Sequence, residues 1–362
     1  MQEHETILLT GITGSVGAWL AGEALRRGHR IAALMRGGDQ AVARRRVEAV
    51  LETVGLPELA AQVDIVLGDI EQEGFGLNGQ RSSLRTAHRL IHCAGCTEFD
   101  ADPARLQRIN VEGTRHALQL AEELDLAVVH VSTAYVAGRC TGVAREGDLD
   151  PHREFNNAYE QSKAHGEALV EDWRKKTGQA VTILRPSIVL GDSTNGHKVG
   201  FNTLYPIMRA FDLIAAHVQG SELRVPVNPA ATKNFIPVDY FAQTAWRLIE
   251  SGQGGVYHVT NPEPMSFARL RDIFAELFGL NGLRMVDERD FGRHPATDLE
   301  RLILAAGETY LSYGLGEPQF DRTNTDAVLG EERPGTPVLD LPFFNRLLQF
   351  ARSRHWREPR AA

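Results

Sequence analysis

Between residue 6 and about residue 190 the chain alternates short apolar runs with longer segments that are apolar on one face only. The runs 6–10, 30–35, 63–67, 89–93, 127–131 and 181–184 are apolar nearly throughout, which predicts strands covered on both sides. Segments 16–28, 41–54, 106–124 and 158–177 repeat their apolar residues every three or four positions, as helices packed by one face do. Strands and helices in turn predict an α/β fold with a doubly wound parallel sheet, whose ligands bind beyond the carboxyl ends of the strands. Past residue 190 the rhythm breaks. Residues 191–200 are polar and contain glycine, 201–218 form an aromatic-rich helical stretch, and returns to the sheet are expected at 234–238 and 256–259. Helices are expected again at 270–278 and 342–352. Residues 1–190, with the sheet returns, thus make one core, and 191–362 mainly a smaller, less regular lobe.

Composition adds exclusions. A chain 43% hydrophobic and 24% charged suits a globular protein, and a formal charge of −8 with no basic stripe argues against nucleic acid as a partner. No run approaches the ~18 apolar residues of a membrane-spanning helix. The acidic start, 1–11, lacks the basic region of a signal peptide and leads straight into a strand. Cys93, Cys96 and Cys140 are too few for a disulfide framework, so a reducing cytoplasm is the expected setting. No sustained heptad pattern bears on oligomeric state.

The first strand runs into Thr10, Gly11, Ile12, Thr13, Gly14, Ser15, Val16 and Gly17, with a helix at once behind. Gly11 suits a tight turn, Gly14 a close approach of backbone to a pyrophosphate, and Gly17 the packing of helix on strand. Thr13, Ser15 and Val16 fall where a helix N-terminus offers N–H groups to phosphate. The context predicts a Rossmann-type dinucleotide site rather than a bare glycine turn. Arg36 stands after the second strand, where an NAD site usually carries an acid, and a guanidinium suits a 2′-phosphate. NADPH is therefore expected over NADH. Arg44, Arg45 and Arg46 read better as a solvated helix face. Asp69 and Ile70 close the third strand near the adenine, with turn capping as the alternative for Asp69. Ala94 and Gly95 close the fourth, small enough for cofactor to lie against backbone. Cys93 and Cys96 form a C-x-x-C, but no second pair stands at ligand spacing, so neither a metal site nor thiol chemistry is expected.

Thr133 follows the fifth strand, and Tyr159 and Lys163 stand four apart on the next helix, sharing a face. A free phenol has a pKa near ~10 and shuttles protons poorly at neutral pH. A neighbouring ammonium and an oxidised nicotinamide are expected to lower it. Alone this pair is common by chance; downstream of a dinucleotide loop it carries weight.

With TGITGSVG, the GDI turn, Asn110 in INVEGT, the VSTAY strand, YEQSK and Arg185-Pro186-Ser187, the chain resembles the extended short-chain dehydrogenase/reductases over roughly residues 6–260. The resemblance implies that Asn110 supports the site wall through a water or a backbone bond. It also implies that Pro186 and Ser187 hold the nicotinamide carboxamide, with Lys163 on the cofactor as well. The arginine-rich segment 34–56, the loop HCAGCTEFD at 92–100, the PVD element at 237–239 and, weakly, FDRTNT at 320–325 resemble the thioester and fatty acyl reductase branch. That branch often has an aromatic after the catalytic lysine, where this chain has Ala164, which leaves pocket size open. The resemblance implies NADPH-dependent reduction of an acyl thioester, on coenzyme A or a carrier protein, to aldehyde, and leaves open whether reduction stops there or continues to the alcohol. The lobe 191–362 would then be mainly substrate-binding, with Phe99, Tyr135, Phe201 and Tyr205 near its mouth unless they are core. Sugar-nucleotide epimerases or dehydratases and ketone or alcohol dehydrogenases share the Thr, Tyr and Lys, although Arg36 speaks against the sugar enzymes. A redox sensor that only binds dinucleotide has little use for Tyr159 and Lys163. The basic end from Arg352 to Arg357 fits either an acidic carrier surface or a solvated helix terminus.

Overall fold

The computed structural model describes residues 4–357 apart from 78, 80, 218–221, 309–312 and 315. Seven parallel strands form the central sheet: β1 (Thr6–Thr10), β2 (Arg30–Met35), β3 (Val63–Leu67), β4 (Ala87–His92), β5 (Ala127–Val131), β6 (Val181–Pro186) and β7 (Gly255–Val259). Their order is β7-β6-β5-β4-β1-β2-β3, so the chain winds outward from β1 to β3 and then crosses back to β4. The carboxyl ends of β1 and β4 therefore diverge into a crevice, the switch point of a doubly wound sheet.

The longer helices are α1 (Ser15–Arg26), α2 (Gln40–Val54), α3 (Gly113–Leu124), α4 (Ala158–Thr177), α5 (Leu204–Ile214), α6 (Val238–Glu250), α7 (Phe267–Phe278), α8 (Asp298–Gly307) and α9 (Leu341–Ser353). Alternate strand residues point to opposite faces and fill two layers. Ile7, Leu9, Ile31 and Ala33 pack toward Phe241 and Trp246 of α6. Leu8, Ala32, Leu90 and Val128 pack toward Leu118 of α3 and Trp173 of α4. A separate aromatic core, with Phe211, Phe274, Phe278 and Phe344, holds α5, α7 and α9 together. The helix that carries Tyr159 has definite ends: Asn157 accepts from the Glu160 N–H at 3.0 Å, and Gly178 closes it in the left-handed region at φ 71°.

Three expectations need correction. The segment at 234–238 does not rejoin the large sheet; Phe235–Pro237 pairs instead with Ile188–Leu190 in a two-stranded parallel sheet. Its partner has already left the sheet, because β6 ends at Pro186 and the Ile188 N–H is engaged by the Asn234 carbonyl oxygen. The helix expected over 106–124 is interrupted by a π segment, Gln107–Glu112. The helix expected over 201–218 begins three residues later and ends in a 3-10 turn, Ala215–His217, with Val218 outside the described residues.

At the open side of β7, side chains take the place of a further strand. The His258 N–H donates to Glu146 at 2.8 Å, Thr325 Oγ1 donates to the His258 carbonyl at 3.2 Å, and Asn324 Nδ2 to the Val256 carbonyl at 3.4 Å. Thr325 Oγ1 and the Thr325 N–H also lie on Glu146, at 2.5 and 3.2 Å.

Candidate active site

After Thr10 the chain turns through Gly11 at φ 79°. A Cβ on Gly11 would meet the Ala94 nitrogen at 2.6 Å, and one on Gly17 would meet the Gly11 carbonyl oxygen at 2.2 Å. Neither position admits a side chain: the loop after β4 crosses over Gly11, and α1 sits hard against the turn. Gly14 caps α1 without any side-chain bond, so the first-turn N–H groups are left for an anion. Thr13, Gly14, Ser15, Val16 and Gly17 all border the crevice, and the Ser15 hydroxyl is buried with no hydrogen-bond partner.

Thr10 Oγ1 accepts from the N–H groups of Cys93 and Ala94, both at 3.1 Å, which fastens the post-β4 loop over the glycines. Ala94 and Gly95 thereby floor the cleft. Arg36 reaches its outer end, largely exposed and 3.9 Å from Glu71. Arg46 joins it, donating to the Arg36 carbonyl at 3.2 Å, which corrects its assignment to a solvated face. Arg44 instead bonds the Ala60 carbonyl at 2.8 Å, and Arg45 is exposed. Ile70 lines the cleft, whereas the Asp69 carboxylate is taken by the Glu71 N–H at 3.0 Å and borders the next groove beside Gly37. Asp69 thus caps its own turn.

The π segment aims Asn110 inward. Its Oδ1 accepts from the Cys96 N–H at 2.8 Å, and its Nδ2 donates to the Cys96 carbonyl at 3.0 Å and to Ser162 Oγ at 2.8 Å. One side chain thus ties the post-β4 loop to the helix of Tyr159, with direct backbone bonds.

Thr133, Tyr159 and Lys163 line the same cleft with Pro186 and Ser187. Lys163 is buried, and its Nζ donates to the Val131 carbonyl at 2.8 Å. Burial brings its pKa down to about 8. Burial pushes the Tyr159 phenol upward, while the Thr133 hydroxyl beside it works in the opposite direction. The Cys93 thiol is pushed up to about 12 by burial, which leaves it a poor nucleophile. The Ser187 hydroxyl is buried and unpartnered at the cleft wall, where an amide would satisfy it. The glycine cradle, the uncapped helix start and these two waiting hydroxyls fit a dinucleotide.

Sequence reasoning missed several residues here. Lys198 is buried in the cleft wall between the Val189 carbonyl, 2.5 Å from its Nζ, and the ring of Tyr205, and burial lowers its pKa to about 7. The loop that carries it is held by Asp239, which accepts from the Ser193 N–H at 2.8 Å and hydroxyl at 2.5 Å. Lys233 sits 2.9 Å from Glu317, over the rings of Tyr135 and Tyr313. Tyr135 donates to Glu317 at 2.8 Å, and Tyr313 donates to Glu160, next to Tyr159. Phe99 stacks on Tyr159 with ring centroids 5.2 Å apart. Phe99, Tyr135, Ile188 and Thr203 are shared between the catalytic cleft and a second, apolar cavity that extends into the lobe. Phe201 and Tyr205 pack against one another in the lobe core, so they do not stand at the mouth. Ala164 is fully buried and borders neither cavity, so pocket size is set elsewhere.

The family model described as male sterility protein matches residues 9–245, well over half of the chain. This chain belongs to that family. It is a nicotinamide-dinucleotide oxidoreductase of the extended short-chain type, and the male sterility match covers the glycine turn, Thr133, Tyr159, Lys163 and Ser187. Among curated relatives, a non-canonical nonribosomal peptide synthetase from Aspergillus hancockii is 22% identical over 95% of this chain. A carboxylic acid reductase from Mycobacterium marinum is 26% identical over 71% of it. The chain spans only 36% and 24% of those two proteins. The crystal structure of the terminal R domain from the myxalamid PKS-NRPS biosynthetic pathway superposes with a TM-score of 0.82, at 25% identity over 99% of this chain and 94% of that one. Among the described residues no helix is long and apolar enough to cross a membrane.

Proposed function

We propose that this family member reduces an acyl thioester, carried on coenzyme A or on a carrier protein, to the aldehyde with NADPH, and on to the alcohol when the aldehyde is held for a second reduction. One observation carries the reading. The dinucleotide cleft, lined by Thr133 and Tyr159, shares Phe99, Tyr135, Ile188 and Thr203 with a mainly apolar cavity that extends into the lobe. The likeness to a carboxylic acid reductase and to a terminal R domain supports it.

NADPH supplies the hydride. The α1 N-terminus would hold the pyrophosphate, Arg36 and Arg46 the 2′-phosphate, and Ser187 the carboxamide. As the thioester carbonyl becomes tetrahedral, Thr133 and Tyr159 donate hydrogen bonds to its developing oxyanion. Lys163, charged below about pH 8, adds positive potential behind them. Collapse of that hemithioacetal breaks the C–S bond and expels thiolate, which takes a proton from water, so no acyl-enzyme is needed. In a second round the Tyr159 phenol would give its proton to the alkoxide and refill from solvent. Asn110 acts as a positioning residue by holding loop and helix together. Residues 191–362 serve mainly as the substrate lobe, except that α6 and the 320–329 segment pack on the sheet.

The test is NADPH oxidation with hexanoyl-CoA, hexanoyl carrier protein, hexanal and a UDP-sugar, for wild type and Tyr159→Phe. Thioester turnover that Tyr159→Phe lowers by ~10²–10⁴ is expected. Turnover confined to the UDP-sugar, or to simple ketones, would refute the assignment.

A further inference from the structure

We infer that the acyl group accepted here is compact and wholly apolar, a chain of about six carbons beyond the cleft or a single ring, and that the lobe, not the catalytic cleft, enforces the limit. The inference rests on the thioester reading for its reaction but on the cavity alone for its size.

The second cavity has a volume of about 130 Å³. For scale, a cavity of ~150 Å³ lined by aliphatic and aromatic side chains stays dry and takes up benzene. Its walls are of that kind: Ile207, Phe211, Phe274, Met285 and Ile303 come from the lobe, and Phe99 and Tyr135 from the side of the cleft. A charged residue, Lys233, also borders it, and its charge is already balanced within the wall: its ammonium lies 2.9 Å from Glu317 and over the faces of Tyr135 and Tyr313. A polar or charged chain terminus would therefore be buried without a partner.

The two ends of the trough are fixed relative to one another. Phe99 stacks on Tyr159, which lines the catalytic cleft, and meets Tyr313 with centroids 5.6 Å apart, and Phe99 and Tyr313 both line the apolar cavity. A carbonyl beside Thr133 and Tyr159 thus sends its chain past Phe99 and Tyr135 into the lobe. Longer chains would fill the cavity before their carbonyl reached the hydroxyls.

Two positions allow the limit to be moved without touching the chemistry. Met285 lies on the short strand Leu283–Val286 and is only partly buried, so Met285→Ala enlarges the cavity at small risk to the fold. A Cβ at Gly307, near the end of α8, would rest 3.8 Å from Ile207, an ordinary contact, so Gly307→Ala narrows it.

The experiment reads kcat/KM for acyl-pantetheine thioesters from acetyl to palmitoyl, with phenylacetyl and adipoyl, beside binding of the matching acyl-pantetheine amides by calorimetry. Each methylene from propionyl to hexanoyl should raise kcat/KM about fourfold, with no gain beyond about octanoyl. Phenylacetyl should rank with hexanoyl, and adipoyl should fall at least a hundredfold below it. Met285→Ala should move the optimum to longer chains and Gly307→Ala to shorter ones. A flat profile, an optimum at palmitoyl, or an optimum that neither variant moves would overturn the inference. Amides that bind with an optimum near octanoyl while no thioester is turned over would uphold the cavity's selectivity and refute the thioester reaction instead.

Discussion

The strongest structural test lies beneath the catalytic helix. Glu167 sits one turn beyond Lys163 on α4 and receives Arg185 Nε at 3.0 Å and Nη2 at 2.6 Å, with Ser132 Oγ at 2.5 Å. Both charged side chains are essentially inaccessible, at 2% and 0% exposure. Glu167→Gln keeps the shape and one acceptor but removes the charge that balances the guanidinium. Breaking a buried pair from one side costs about 3–5 kcal/mol. The lower end applies here, because Arg185 retains the carbonyls of Glu146 and Asp148 at 3.2 and 3.0 Å. About 3 kcal/mol corresponds to a drop of roughly 4 °C in Tm for a chain of this size. Urea denaturation of wild type, Glu167→Gln, Arg185→Met and the double variant closes a cycle. The double variant should be less destabilised than the sum of the singles by about 2 kcal/mol, since it leaves no unbalanced charge. Additive costs, or a Glu167→Gln variant within about 0.5 kcal/mol of wild type, would refute the claim that this pair anchors α4.

Three further outcomes are expected. Lys198 has a folded pKa of about 7 against an ordinary 10.5, so the folded state binds fewer protons than the unfolded one between those values, and stability rises with pH across that window. Urea midpoints from pH 6.5 to 10 should therefore climb more steeply for wild type than for Lys198→Met, and parallel profiles would count against a buried, weakly protonated lysine. Replacing both Arg36 and Arg46 by Ala should cut the preference for NADPH over NADH by at least tenfold, the loss expected for a charge-assisted phosphate contact, as read by comparing the two Kd values; an unchanged ratio would remove both from the 2′-phosphate site. Asn110→Ala leaves both Cys96 backbone groups without their partner and should cost about 1–3 kcal/mol by urea denaturation, with a larger fall in kcat than in NADPH affinity.

Much of the sheet was legible because its strands are buried on both faces and so stand out as apolar runs, with β1, β2, β3 and β5 falling where the pattern placed them. The glycine turn was legible for a different reason: Gly11 and Gly17 stand where no side chain fits, and such positions leave a mark in sequence. What escaped was whatever depends on distant segments meeting. Nothing local distinguishes Arg46 from Arg44 and Arg45; only the docking of α2 turns one of the three to the cleft. Lys198 lies in a polar loop and reads as solvated until Asp239 draws that loop down by Ser193. The pairing of 235–237 with 188–190, rather than with the large sheet, follows from where β6 ends and not from any apolar pattern. Asp69 was ambiguous in sequence because a turn carboxylate suits both a ligand and its own backbone.

The way the sheet ends at β7 has a consequence for how the protein behaves in a crowded solution. An outer strand with unpaired amides is a template on which another chain can extend the ladder. Here Glu146, Asn324 and Thr325 already occupy the amide of 258 and the carbonyls of 256 and 258, which an intruding strand would need. Shortening the chain before residue 320 would strip two of those three guards at once and strand the carboxylate of Glu146 in the interior. Such a truncated chain would lose α9 from the lobe core and expose this edge to edge-to-edge aggregation as well, although everything the family match spans would still be present.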